Sequence, residues 1–146
     1  DAQESRGLGD VYKRQYLLYR STDETTYELR GSVRALKQRM QAQHFEYGDD
    51  VIKLFELAID EGDSKAQEIL NVWSEDVAEG IAQIQILYDP ELILIGGGIS
   101  SQGERLLRYI TPKIAHYLPP EYGHARIQTM QTQNDAALYG AVAQFH

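Results

Sequence analysis

The chain has 146 residues, 42% hydrophobic and 25% charged, with 22 acidic against 14 basic side chains and a formal charge of −8. That length suits one domain with a single core. The acidity excludes a surface built to displace counterions from nucleic acid, and no apolar stretch nears the ~18 residues of a membrane span. With no Cys there is neither a disulfide framework nor a thiolate zinc site. The N-terminus lacks the charged-then-apolar layout of a secretory signal, so a cytoplasmic protein is the expectation.

The first segment, "SRGLGDVYKRQ" at residues 5–15, resembles the translation of a transposase-type sequencing adapter. Residues 1–15 are therefore expected to be a leader foreign to the fold, with 16–146 the native part. The "GLG" at 7–9 is then no phosphate loop. Removing the leader leaves the charge unchanged, since Asp1, Glu4 and Asp10 are matched by Arg6, Lys13 and Arg14.

From Tyr16 on, "YLLYR" is predicted to be a short strand, and the polar "STDETTYE" a loop or weak second strand. Val33, Leu36 and Met40 take helical spacing behind Ser32 as N-cap. The four bases between Arg30 and Arg39 read as the wet face of that helix. A second helix, capped by Asp49 or Asp50, would bury Val51, Leu54, Phe55 and Ala58. The third, started by Asp63 or Ser64, repeats Ala66, Ile69, Leu70, Trp73, Val77, Ile81, Ile84 and Leu87 at helical intervals. Pro90 ends it, because proline disfavours helix at the preceding residue and donates no backbone hydrogen bond.

"ELILI" at 91–95 is apolar without alternation, as expected of a strand covered on both faces. Gly96, Gly97 and Gly98 follow, and then a helix turning Leu106, Leu107, Ile110, Ile114 and Leu118 inward, with a kink or restart expected at Pro112. "LPPEYG" is a loop and "ARIQTM" an alternating strand. "NDAALYGAVAQF" is predicted to be a closing helix capped by Asn134, with Ala136, Gly140, Ala141 and Ala143 on a small-residue face. Strand, helix, strand, helix implies an α/β layer with a parallel strand pair and a right-handed crossover.

Three chemistries are open to the glycine triplet. A Walker-type phosphate loop needs a lysine directly after its last glycine, and none occurs before Lys113. A dinucleotide fingerprint would use Gly96, Gly98 and Ser101 and needs an acid at the tip of the next strand, whereas Glu121 falls in the Pro-rich loop. What remains is a sharp strand-to-helix turn, either plain or one on whose bare backbone a flat ligand can lie. Spacing alone does not separate these two. His44, His116, His124 and His146 are scattered without metal-ligand spacing, so surface or capping roles are expected.

"YDPELILIGGGISSQGERLL", followed by "NDAALYGAVAQF" and preceded by "ELRGSVRAL" at 28–36, resembles the C-terminal part of the ROK family of repressors, uncharacterised frames and sugar kinases. The resemblance implies the actin-like, hexokinase-type (ribonuclease H-like) ATPase fold, an α/β architecture of which this chain would hold part of the C-terminal lobe. It implies a nucleotide site with Gly96, Gly97 and Gly98 beside the adenosine, and a sugar-binding Glu28 whose carboxylate can accept from neighbouring hydroxyls. Small-molecule sugar, ATP and Mg²⁺ would then be the ligands of the intact protein, with a homodimer by analogy and neither nucleic acid nor membrane contacted through this region. The family's Asp-x-Gly-Gly-Thr segment, catalytic Asp and Gly-Glu-x-Gly-His segment do not occur here, so no catalytic residue is assigned and the chain by itself is expected to be inactive. Its usual His-plus-three-Cys zinc site is also missing, so a zinc-free branch is expected. The activity implied is phosphorylation of a hexose or hexosamine hydroxyl, as in glucokinases and fructokinases; the alternative within the family is the effector domain of a sugar-sensing repressor.

Overall fold

One long helix organises the molecule. The computed structural model describes residues 18–130 and the backbone of residues 141–144, and its elements run in the order α1 (Tyr27–Gly31), α2 (Val33–Ala42), α3 (Val51–Ile59), α4 (Ser64–Tyr88), β1 (Leu92–Gly96), a 3₁₀ turn (Gly98–Gln102), α5 (Glu104–Ile114), a second 3₁₀ turn (Ala115–Tyr117), β2 (Arg126–Thr129) and β3 (Ala141–Gln144). The spine is α4, with 25 residues and a length of about 37 Å at the α-helical rise. Asp63 caps its N-terminus, the carboxylate accepting from the Ala66 amide at 2.8 Å. At the other end Asp89 adopts a left-handed conformation and donates its amide to the Gln85 carbonyl, and Pro90 follows. Ala66, Ile69, Leu70, Trp73, Val77 and Ile81 are buried as their spacing predicts, and Ile84 is partly so. Leu87 is the exception at 65% exposure: the apolar stripe runs on for a turn beyond the elements packed against the helix.

The other helices lie against this spine. Ser32 accepts from the Ala35 amide to start α2, which buries Ala35, Leu36 and Met40. Asp50, of the two candidates, caps α3, and Leu54, Phe55 and Ala58 face the core. Along α4, α5 is tied by Lys113 Nζ to Asn71 Oδ1 at 3.0 Å and by the Tyr117 hydroxyl to Glu75 at 2.7 Å. Leu106, Ile110 and Ile114 are its buried face, while Leu107 and Leu118 are partly covered. Pro112 sits inside α5 without ending it; there it donates no hydrogen bond and its ring crowds the Arg108 carbonyl one turn earlier.

β1 is the middle strand of a parallel sheet ordered β2-β1-β3. All five of its residues are buried, as the unbroken apolar run requires. Leu92 stands opposite Arg126 and Ile95 opposite Thr129, which is the predicted parallel pair with a helix between its strands.

Three sequence expectations are corrected. The predicted strand at 16–20 is, within the described residues, a turn closed by a single antiparallel bridge between Arg20 and Thr25. Asp23 folds it back by accepting from the Thr25 amide and hydroxyl at 3.2 and 2.6 Å. The expected loop or strand across 21–28 gives way to α1 from Tyr27 onward, because Thr26 accepts from the Leu29 amide as an N-cap. The closing helix is not seen at Ala141–Gln144, which extend instead as β3 beside β1. There a long-range parallel ladder outweighs local alanine propensity, satisfying backbone groups along the open edge of β1. The Asn134 cap, Ala136 and Gly140 lie outside the described residues, as do residues 1–17 and His146.

Candidate functional site

The strand-to-helix turn at the end of β1 is built from glycine for a geometric reason. Gly96 completes the buried strand, and Gly97 turns the chain at φ 92°, ψ 179°, a conformation in which a side chain would be strained. Gly98, exposed, opens the 3₁₀ turn, and a Cβ placed on it would meet no atom of the described residues within 4 Å. Packing among those residues therefore does not demand a bare backbone at Gly98, and the surface there is open. Ser100 and Ser101 donate their hydroxyls to the Gly97 and Gly98 carbonyls at 2.7 and 3.0 Å, so the turn is braced from within. Gly103, at φ 53°, releases the chain into α5, whose Arg105 clasps Asp60 beyond α3 at 2.9 and 3.2 Å.

Glu28 occupies a different element. It is exposed on α1 and borders a shallow hollow of about 420 Å³ with Leu29, Ser32, Val33, Arg34 and Lys37. None of Gly96, Gly97 and Gly98 lines that hollow, so the two sets of predicted site residues stand on separate elements, the glycines at the end of the central strand and Glu28 on the helical layer. Helix α1 is pinned to α4 at three points. The Tyr27 hydroxyl donates to the Val77 carbonyl at 3.0 Å, with its ring over Gly80, where any Cβ would overlap it. Trp73, fully buried, donates its indole N–H to the carbonyls of Gly31 and Ser32 at 3.1 and 3.0 Å. Arg30 is the third.

Arg30 overturns the reading of residues 30–39 as a solvated basic face. Arg34 is exposed, but Arg30 is only 4% exposed. Its guanidinium donates to the Thr25 carbonyl and hydroxyl at 3.1 and 2.9 Å and to the Leu18 carbonyl at 2.9 Å, and it faces Asp76 at 3.7 Å. Arg39 grips the other oxygen of Asp76 at 2.8 Å. Burial pushes the Asp76 carboxyl above the ordinary carboxylate range, and Arg39, Arg30 and Arg20 pull against it. Sequence inspection misses Arg30 and Asp76 because charged residues are rarely buried unless paired, and their pairing spans two distant helices. Burial likewise raises the Tyr27 phenol.

Among the described residues, no group of three or more His, Cys, Asp or Glu is arranged to hold a metal ion. His44 and His124 are exposed; the His124 ring lies 3.0 Å from the Glu121 carbonyl, and His116 stands 3.4 Å from Glu75. Glu121 lies in the turn before β2 rather than at a strand tip, so the dinucleotide fingerprint lacks its acid. Among the described residues no helix is long and apolar enough to cross a membrane.

Comparison with known proteins identifies the family of the chain. The pattern of the ROK family matches residues 23–146. The chain belongs to the ROK family. Two curated relatives are glucokinases: one from Pyrobaculum calidifontis, 36% identical over 72 residues (43% of this chain and 24% of that protein), and one from Thermotoga maritima, 30% identical over 95 residues (64% and 30%). A ROK family glucokinase from Streptomyces griseus, solved in complex with glucose and AMPPNP, superposes with a TM-score of 0.64 at 26% identity, covering 79% of this chain and 42% of that one. The ROK hexokinase from Thermus thermophilus shares the fold at a TM-score of 0.60 and 23% identity, covering 79% of this chain and 39% of its own. The chain spans less than half the length of each of these proteins. Its architecture is part of the actin-like, hexokinase-type fold that the family shares.

Proposed function

We propose that this chain is the C-terminal part of an ATP-dependent sugar kinase that phosphorylates a hexose or hexosamine hydroxyl, with residues 1–15 a foreign leader. The observation that carries the reading is the glycine turn: a left-handed Gly97 and an unobstructed Gly98 at the end of the central strand, in a chain of the ROK family. The Streptomyces griseus relative, solved with glucose and AMPPNP, supports both ligand classes.

The residues present fit a nucleotide. At Gly98 no Cβ stands between ligand and backbone, so a flat ring can approach to van der Waals contact, and Gly97 sets the direction of the turn without strain. ATP, when bound, supplies the γ-phosphoryl group, and Mg²⁺ would accompany it through its phosphates, with no ligand cluster assigned in this chain. Glu28 accepts hydrogen bonds from two neighbouring sugar hydroxyls, which fixes the ring and sets which hydroxyl faces the phosphate. Proton removal from that hydroxyl falls to an Asp supplied by a part of the kinase other than this chain. A zinc-free sugar site, a cytoplasmic location and a homodimer of the intact protein complete the proposal.

The experiment is sugar-dependent release of ADP by the complete polypeptide that carries this segment, measured over a panel of hexoses and hexosamines. Turnover with at least one sugar is expected, together with a higher KM for ATP in Gly98→Val. Absence of turnover with every sugar, combined with sugar-dependent binding to a DNA operator, would replace the kinase by the repressor reading.

A further inference from the structure

We infer that Arg30, anchored by Asp76, is the positioning residue of the sugar site, fixing the short helix from which Glu28 projects. The inference rests on the reading of Glu28 as a sugar contact. Helix α1 has only five residues, far below the ~12 at which an isolated helix becomes even marginally stable. Its orientation must therefore come from tertiary anchors. Glu28 and Arg30 are two positions apart, so they lie on nearly opposite sides of the helix: Glu28 is exposed and Arg30 buried. Whatever holds Arg30 inward therefore sets the direction of Glu28 outward.

The contacts of Arg30 suit that task. One planar fork reaches the Leu18 carbonyl, the Thr25 carbonyl and the Thr25 hydroxyl, and its Nε faces Asp76 on α4. Three separate pieces, the 18–25 turn, α1 and α4, are thereby joined at a single side chain. A lysine has no fork and could not make these bonds together. An apolar residue of the same volume could match the pair in stability, but it would take the guanidinium donor from the Leu18 carbonyl and leave the Thr25 carbonyl with the Arg20 amide alone, so the turn would no longer be tied to α1 and α4. Among the described residues Nε itself has no hydrogen-bond acceptor within reach, and Asp76 faces it at 3.7 Å, an interaction of charge rather than a short bond. Arg39, bound to the other Asp76 oxygen, holds that carboxylate in place from α2. The cluster is thus braced from both helices that flank Ser32.

The test uses the complete kinase and reads KM against kcat. Arg30→Met is expected to raise the sugar KM tenfold or more, leaving kcat and the ATP KM within twofold. Arg30→Lys is expected to restore little of that loss. Because both act through one contact, Arg30→Met combined with Asp76→Asn is expected to be no worse than Arg30→Met alone. Should Arg30→Met fail to fold, Thr25→Val removes one acceptor of the fork without stranding a buried charge, and a sugar KM raised a few-fold is expected. An unchanged sugar KM in these variants, or a fall in kcat with every KM unchanged, overturns the inference.

Glu28→Gln is the control for the underlying reading. If it leaves the sugar KM unchanged, that reading fails, and positioning is then judged by amide hydrogen exchange in the 146-residue chain. Arg30→Met must accelerate exchange across residues 27–31 while Ser64–Tyr88 stays protected; unchanged exchange at 27–31 overturns it.

Discussion

At the residue scale, Gly97 and Gly98 are adjacent glycines with different physical reasons. Gly97 has φ 92° and ψ 179°, so Gly97→Ala is expected to destabilise the chain by about 1–3 kcal/mol, the cost of holding an L-residue in backbone that is essentially glycine's alone. Gly98 has open space around it among the described residues, so Gly98→Ala should leave thermal stability unchanged and, on the proposed reading, weaken only nucleotide binding by the complete polypeptide. Thermal melting of both variants checks the contrast, and equal melting shifts would remove the argument that Gly98 is kept bare for a ligand. Tyr117 offers a test in pH. Burial, the hydrogen bond to Glu75 and the nearby charges of Glu75, Glu79 and Asp76 keep its phenol protonated, pushing it up to about 12 from the ordinary 10.0. Because the folded value is the higher one, this contribution is whole below pH 10 and is lost as pH rises toward 12. In alkaline denaturation Tyr117→Phe is therefore expected to show a shallower loss of stability across that window than the native chain. An identical slope would show that the Tyr117–Glu75 bond carries no linkage.

At the element scale, α4 is the part from which the others take their positions. Trp73 fills the centre of the core and caps the junction of α1 and α2 through the carbonyls of Gly31 and Ser32. Trp73→Phe keeps an aromatic ring but removes the indole donor from the Gly31 and Ser32 carbonyls, of which Ser32 keeps the Leu36 amide. A loss of about 1–3 kcal/mol in denaturant unfolding is expected from the unmade hydrogen bonds, with more if the smaller ring leaves a cavity. By contrast, breaking the exposed Arg105–Asp60 pair with Arg105→Met should cost under about 1 kcal/mol, since solvent screens such pairs. The stripe of α4, the caps at Ser32, Asp50 and Asp63, and the stop at Pro90 were all legible in the sequence, because each is a local pattern whose period or chemistry needs no partner. Arg30 was not. A charge on a helix reads as solvated until its distant counterion and acceptors are in view, and here Asp76 lies on another helix. Helix α1 is too short to show a period. The alanines of 141–144 favour helix locally, and only the presence of β1 beside them makes a strand.

At the scale of the whole molecule, the parallel sheet and the helical layer share one core and carry the two sets of candidate site residues on separate elements, Gly96–Gly98 at the end of β1 and Glu28 on α1. The proposed role of the triplet was legible only through its company, the "NDAALYGAVAQF" and "ELRGSVRAL" segments that accompany it; the isolated glycines fit a plain turn equally well. The exposure of Leu87 and Tyr88 at the end of α4, 65% and 73%, agrees with a surface that packs against further protein. Replacing them by Gln and Ser should lower self-association of the 146-residue chain in light scattering without shifting its melting temperature. On the proposed reading the catalytic Asp and the phosphate loop belong to the rest of the kinase, so the 146-residue chain alone is expected to show no sugar-dependent ATP turnover. The decisive measurement is that turnover in the complete polypeptide, native against Glu28→Gln, as a function of sugar and of ATP. Sugar-dependent ADP release is expected, with the Glu28→Gln variant needing at least tenfold more sugar and an unaltered ATP concentration for half-maximal rate. ADP release that ignores sugar, or a sugar dependence that Glu28→Gln leaves untouched, would contradict the assignment.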